Sequence, residues 1–217
     1  MKLNTITHTD GFMKTAQDDF VKTQTFLIHA DPVLGKIIHQ VPKPEIVSTQ
    51  AVFHDLMSCI IEQQIHYRST KRIVQNLLNK AGIEMLSPQN FDLFEQKALQ
   101  HIKISMNKVE TIGRILSFWE NNTPDWQNLS DEEVRGLLSS IKGIGPWTID
   151  MILLYTLQRK NIFPVDDFHL KRIMVSLYGL DEKTKLKAQM LQIAENWGEY
   201  KSTAVLYLLE WKKQSKS

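Results

Sequence analysis

Two stretches decide the fold of this chain: "IKGIGPWTIDMILL" (Ile141–Leu154) and, nine residues on, "FPVDDFHLKR" (Phe163–Arg172). In the first, a short amphipathic segment stops near Ser140. The chain turns over Gly143-Ile144-Gly145 and re-enters a helix at Pro146, where a missing N–H costs nothing. Glycines allow positive φ and let another backbone approach closely. The predicted product is a tight turn with backbone amides at a helix N-terminus, a ready place for an anion. Ile144 anchors such a turn in the core, and Lys142 stands ready for a neighbouring phosphate. Gly-x-Gly corners join many helices, so the tripeptide alone favours a plain corner. The longer order of capped helix, apolar-Lys-Gly-apolar-Gly and helix is more specific.

In the second stretch, Pro164-Val165 leads into Asp166-Asp167 and then a helical pattern. An aspartate here is ordinarily an N-cap, a contribution of about 0.5–2 kcal/mol. Two adjacent carboxylates repel, and one helix start caps with only one of them. The expectation is that one caps while the other faces a cleft.

The composition sets bounds. With 217 residues, 42% apolar and 23% charged, the chain buries a substantial core and reads as an ordinary soluble protein. Scarce glycine (9) and proline (7) favour long helices over a turn-rich sheet. No run nears the roughly 18 apolar residues of a membrane span, and the first twenty residues lack the apolar core of a signal peptide. An intracellular location is expected, cytoplasmic in a bacterium. The single cysteine, Cys59, rules out an internal disulfide and any cysteine-ligated metal or iron–sulfur cluster within one chain. The net charge is only +2, so an attraction to nucleic acid must come from a local patch and oriented amides.

Helical periodicity covers the rest. A first helix stops at Asp31-Pro32 and a short second one follows. "VPKPEI" (Val41–Ile46) is a rigid linker. Phe53, Leu56, Met57, Ile60 and Ile61 form one apolar stripe, and the next helix closes at Gly82. A short helix is expected near 89–96, then a polar turn and a helix from about 107 to 119. Ser130 with Glu133 makes a capping box, and helices near 146–159, 167–178, 182–197 and 199–212 complete an all-α chain.

The run from Ile141 to Arg172 resembles the helix–hairpin–helix and Gly/Pro…Asp signature of the HhH-GPD DNA glycosylase superfamily. "FLIHADPVLGKII", "FHDLMSCIIEQQI", "ISMNKVETIGRI" and "WGEYKSTAVLYLLEW" agree with its DNA-3-methyladenine glycosylase II branch, so the similarity touches almost the whole chain from about Phe26. The resemblance implies a two-lobed all-α fold with the active-site cleft between the lobes and no N-terminal β-domain. It also implies hydrolytic excision of alkylated purines of the 3-methyladenine or 7-methylguanine type. Asp167 matches the catalytic aspartate. Bifunctional members carry a nucleophilic lysine after Gly-Pro. This chain has Trp147 there, which forms no imine, so lyase activity is not expected.

Trp147, Phe53, Tyr67, Phe163 and Met151 are base-pocket candidates, although aromatic residues at helical spacing are more often core. Met151 stands where the best-known relative has tyrosine, which leaves the substrate range open. Gln63, Gln64 (the wedge candidate), Lys142, Gly143, Ile144, Gly145, Lys171 and Lys201 are DNA-binding candidates. The carbonyls of Ser139, Ile141 and Gly143 are a candidate site for Na+ or K+, with no other cofactor and no iron–sulfur cluster expected. The partner implied is double-stranded DNA with a damaged base, bound by a monomer away from any membrane. Expected divisions are 1–45, packing with the C-terminal helices, a central lobe at 46–140, and 141–217 carrying hairpin and aspartate. A non-catalytic hairpin DNA-binding protein and a glycosylase for oxidised or deaminated bases stay open as alternatives.

Overall fold

The computed structural model describes residues 8–62 and 67–214, which are all helix, turn and coil, with no strand among them. The helices are α1 (His8–Ala30), α2 (Pro32–Gln40), α3 (Val52–Glu62), α4 (Tyr67–Ala81), α5 (Phe91–Lys97), α6 (Met106–Asn121), α7 (Asp131–Ser139), α8 (Pro146–Met151), α9 (Phe168–Tyr178), α10 (Leu186–Glu195) and α11 (Lys201–Gln214). No helix among the described residues is long and apolar enough to cross a membrane. Two compact units form, one from the chain through Glu45 with Lys160 onward, the other from Ile46–Arg159. The first division falls in the "VPKPEI" linker. The second falls after Arg159 and not after residue 140, because α8 and the turn that follows it pack on α7 and α3.

In the first unit, Asp31 starts α2. Its Oδ1 accepts the N–H groups of Val33 and Leu34 at 3.0 Å each, and Pro32 fills the first helical position. The same carboxylate, 5% exposed, accepts the Tyr178 hydroxyl at 2.7 Å and the Trp197 indole N–H at 2.8 Å through Oδ2. A buried carboxylate is tolerable only when its oxygens are this well supplied with donors. Burial and the neighbouring Asp31 push the Tyr178 hydroxyl pKa well up from 10.0. In the same unit Leu27, Leu34, Ile173, Met174, Tyr207 and Leu208 are fully or almost fully buried. Gln24 of α1 donates to the Tyr207 hydroxyl at 2.6 Å, tying the N-terminal helix to α11.

In the second unit, the α3 stripe lies in the core as the period requires: Phe53, Leu56, Met57, Ile60 and Ile61 are all buried, each contributing about 1.5–3 kcal/mol. Gly82, at φ +73, ends α4, with the Ile83 N–H reaching back to the Leu78 carbonyl at 3.1 Å. Phe53 meets Trp119 edge-on, and Trp119 stacks on Trp126 at 5.6 Å. The Arg159 guanidinium donates to the carbonyls of Trp126 and Leu129 at 2.9 and 2.7 Å, fixing the loop before α7.

Two helices depart from expectation. The helix from Pro146 does not run regularly to Arg159. It widens into a π turn over Ile152–Thr156, with the Leu157 N–H bonding five residues back to Ile152. Thr156, at the end of that turn, donates to the Asp55 carboxylate of α3 at 2.7 Å. The helix expected from residue 182 begins at Leu186. Asp181 instead draws in the Lys183 N–H and the Thr184 hydroxyl, and Lys185 sits at φ +43.

Candidate functional site

The hairpin belongs to the second unit. The capping box predicted for α7 is present: Glu133 N–H to Ser130 Oγ at 3.2 Å, and Ser130 N–H to Glu133 Oε2 at 2.8 Å. These bonds hold the Glu133 carboxyl below its usual pKa. After α7 the chain closes a turn in which the Ile144 N–H donates to the Ile141 carbonyl at 3.0 Å. Ile141 and Ile144 are buried at 4% and 7% exposure, while Lys142 and Gly143 are exposed. Arg135 of α7 and Asp150 of α8 close an ion pair at 2.7 Å across the two hairpin helices.

The two hairpin glycines are there for different reasons. Gly143 has φ +107, and a Cβ there would stand 2.3 Å from Thr111 Oγ1. Both its own backbone and its neighbour exclude a side chain. Gly145 has φ −95 and ψ 167, a conformation any residue adopts, and its absent Cβ would meet nothing within 4 Å. It leads into α8, which no side chain caps. Trp147, one residue inside that helix, is half-buried, and Met151 is buried. Phe53, another pocket candidate of this unit, belongs to the aromatic cluster with Trp119.

Of the three carbonyls suggested for a monovalent cation, that of Ser139 ends α7, and those of Ile141 and Gly143 lie in the turn. Neutral carbonyl oxygens suit such an ion, and each carries two lone pairs, so the bond that Ile144 makes to Ile141 leaves room for a second contact.

The aspartates belong to the first unit. The approach to them is pinned: the Ser202 N–H donates to the Lys160 carbonyl at 3.0 Å, and the Ile162 N–H donates to Ser202 Oγ at 2.9 Å. Phe163 packs edge-on against Trp197 at 5.7 Å. The Asp167 N–H then closes a turn onto the Pro164 carbonyl at 2.9 Å. The residue that caps α9 is Asp167 itself, whose Oδ1 accepts the Leu170 N–H at 2.7 Å at 9% exposure. Asp166 is not pressed against its neighbour as a bare charge. Lys187 at 2.6 Å and Lys171 at 3.3 Å pair with it, and these ammonium groups, Lys187 foremost, hold its carboxyl below the ordinary 3.8.

Among the other candidates, Lys171 is therefore engaged with Asp166. Lys201 donates to Asn161 Oδ1 and the Gly198 carbonyl at 2.9 Å each, which commits two of its three N–H groups inside this unit. Gln63, Gln64 and the Tyr67 side chain lie outside what is described. Three contacts had no sequence signal: Thr111 beneath Gly143, Arg114 donating to the Lys142 carbonyl at 3.3 Å, and Lys108 donating to the Ile61 carbonyl at 2.9 Å. Helical phase places them together on α6 but names no partner. Burial pushes the Cys59 thiol to about 12, so it is no nucleophile near neutrality.

Comparison with known proteins gives a consistent answer. The candidate DNA-3-methyladenine glycosylase YfjP of Bacillus subtilis is 30% identical over 184 residues, 81% of this chain and 64% of that protein. DNA-3-methyladenine glycosylase 1 of Schizosaccharomyces pombe is 25% identical over 166 residues, 74% of this chain and 71% of that one. The chain thus spans about two thirds of these relatives' length. A solved structure of a Bacillus halodurans DNA-3-methyladenine glycosidase superposes with a TM-score of 0.70 at 25% identity, covering 88% of each chain. The family model for HhH-GPD superfamily base excision DNA repair proteins matches residues 57–199, hairpin and aspartates included, and the chain belongs to that superfamily.

Proposed function

We propose that this protein is a monofunctional DNA glycosylase that extrudes alkylated purines from duplex DNA and hydrolyses their N-glycosidic bond. The observation that carries the proposal is Asp167, a carboxylate held by its own helix cap within the stretch that matches the repair family. As C1′ loses the base, positive charge builds on the sugar. A fixed carboxylate stabilises that charge and takes a proton from the water that forms the new C1′–O bond. The electron pair of the broken C1′–N bond leaves with the base and neutralises the formal positive charge that alkylation placed there. Little acid catalysis is then needed, and selection falls to stacking. Trp147 supplies an aromatic face, for which a cationic base is favoured by about 0.5–2 kcal/mol. Weakened pairing of the damaged base lowers the cost of extrusion, ordinarily a few kcal/mol.

The hairpin backbone at Gly143 and Gly145, with Lys142 beside it, grips phosphates without reading sequence. The open space at Gly145 supports this reading, since no neighbour among the described residues explains a glycine there. A monovalent cation, where bound, would be held by the carbonyls of Ser139, Ile141 and Gly143 and would stiffen the turn. With tryptophan at position 147 no Schiff base forms, and the sugar–phosphate strand stays intact. The protein acts inside the cell as a monomer.

A panel of duplexes, each with a single 3-methyladenine, 7-methylguanine, 8-oxoguanine, uracil or hypoxanthine, tests the proposal under single-turnover conditions. Release of the two alkylated purines without strand cleavage is expected, with Asp167→Asn slower by about 10³-fold. Equal rates for wild type and variant would leave only a DNA-binding role. Preference for 8-oxoguanine or uracil would move the substrate class.

A further inference from the structure

Helix α6 reaches two other parts of its own unit with residues spaced three apart. The Lys108 ammonium donates to the Ile61 carbonyl at 2.9 Å. Ile61 sits in the last turn of α3, where carbonyls have no partner within the helix. One turn on, Thr111 lies directly beneath the hairpin, as the 2.3 Å between its Oγ1 and a Cβ built at Gly143 records. Another turn on, Arg114 donates to the Lys142 carbonyl at 3.3 Å and is steadied by Glu110 at 2.8 Å. Steps of three residues drift by only about 60° around a helix, so these three positions lie on one broad side of it. That side therefore touches the end of α3 and the hairpin turn at once. Lys108 is half-buried, and burial holds its pKa below the ordinary 10.5, so it is not a freely solvated surface lysine.

We infer that α6 is a spacer fixing the end of α3 relative to the hairpin turn, with Lys108 as a positioning residue for base extrusion. The inference rests on the glycosylase reading. From Glu62 the chain runs directly into Gln63 and Gln64, which the family resemblance makes DNA-binding candidates, Gln64 as the wedge. Phosphates held by the hairpin give one reference point and the exit of α3 the other. A base leaves the stack only when both engage the same few nucleotides. Lys108 sets that separation, while a lysine serving only as a positive charge would act on affinity alone.

The two roles separate in one experiment. A duplex carrying 7-methylguanine beside 2-aminopurine, which brightens when unstacked, reports extrusion and single-turnover release. A duplex with a tetrahydrofuran abasic analogue reports affinity and its salt dependence. Lys108→Met is expected to lower both the fluorescence change and the release rate about tenfold, with the abasic-duplex Kd within about twofold of wild type. Lys108→Arg, which still reaches the carbonyl, is expected to restore release to within about threefold. Arg114→Met, at the other end of the spacer, should show the same signature in milder form and serves where Lys108→Met does not fold. Wild-type release by Lys108→Met, or failure of arginine to restore it, overturns the inference. So does a weakened Kd with a salt slope smaller by about 1, which would make Lys108 a phosphate contact. A wild type that releases no base overturns the glycosylase reading itself, whereas wild-type release with an unaffected Lys108→Met overturns the spacer alone.

Discussion

Two helices of this protein begin in opposite ways. α8 starts at Pro146 behind Gly145 with no side-chain cap. α9 starts behind Asp167, whose Oδ1 accepts the Leu170 N–H at 2.7 Å. Every helix start faces the same difficulty, backbone N–H groups with no partner inside the helix. A start without a side-chain cap suits an acceptor from outside the chain, which in the proposed function is a DNA phosphate. A start capped by its own aspartate holds a carboxylate in one rotamer. On the proposed function, binding and chemistry are two solutions to one backbone problem, and they can be perturbed separately.

Position 167 offers the largest effect. Serine there keeps a cap and removes the carboxylate, while alanine removes both. Asp167→Ser is expected to lose about 10³-fold or more in single-turnover excision with stability close to wild type, and Asp167→Ala to lose the same activity and about 1 kcal/mol besides. Urea melts alongside excision assays separate the two losses. If serine destabilises as much as alanine, the Oδ1 bond is not what starts α9. If serine excises, the carboxylate is not the reacting group.

Asp31 is the control, a third helix start with the same residue type and no assigned chemistry. Both of its oxygens serve the fold: Val33 and Leu34 on one, Tyr178 and Trp197 on the other. Asp31→Ala removes a cap and strands the buried Trp197 N–H and the half-buried Tyr178 hydroxyl, at an expected total of roughly 3 kcal/mol. Excision per folded molecule should stay at the wild-type level, which distinguishes a structural aspartate from a reacting one.

The hairpin glycines sharpen the other half of the comparison. At Gly143, alanine meets both a positive φ and Thr111, so Gly143→Ala is expected to cost about 2 kcal/mol in a thermal melt. At Gly145, alanine meets neither, so Gly145→Ala should leave stability unchanged within about 0.5 kcal/mol and still weaken duplex binding. Loss of stability without loss of affinity at Gly145 would make the hairpin an ordinary corner.

Features written in adjacent residues were legible in the sequence. Asp31-Pro32, Ser130 with Glu133, Gly82 and the α3 stripe are local signals, and each produced the expected helix boundary or buried face. The order of hairpin and aspartates was legible as a motif for the same reason. Contacts made across the chain were not. The hydrogen bond from Trp197 to Asp31 spans 166 positions, and no pattern at either end announces it. Thr111 beneath Gly143, Lys108 at the end of α3 and the commitment of Lys201 to Asn161 and Gly198 are of this kind. The π turn escaped because its apolar run fits a regular helix equally well, and its bond to Asp55 comes from a separate element.

Asp166 carries the smallest expected effect and bears most directly on the aspartate pair. The sequence suggested mutual repulsion, but two ammonium groups face Asp166, and they depress its pKa below 3.8. A carboxylate whose folded value is depressed binds fewer protons in the folded state than in the unfolded one. Its contribution to stability is therefore fully present above the unfolded value and is lost as pH falls through the folded one. Asp166→Asn should melt slightly lower than wild type at neutral pH, and the difference should close as pH drops below 3.8. The pairing is partly solvated, so the shift is small and shrinks further in high salt. A difference that grows on acidification would mean that the lysines are held by something other than Asp166, and the second aspartate would then stand as an uncompensated neighbour to the first.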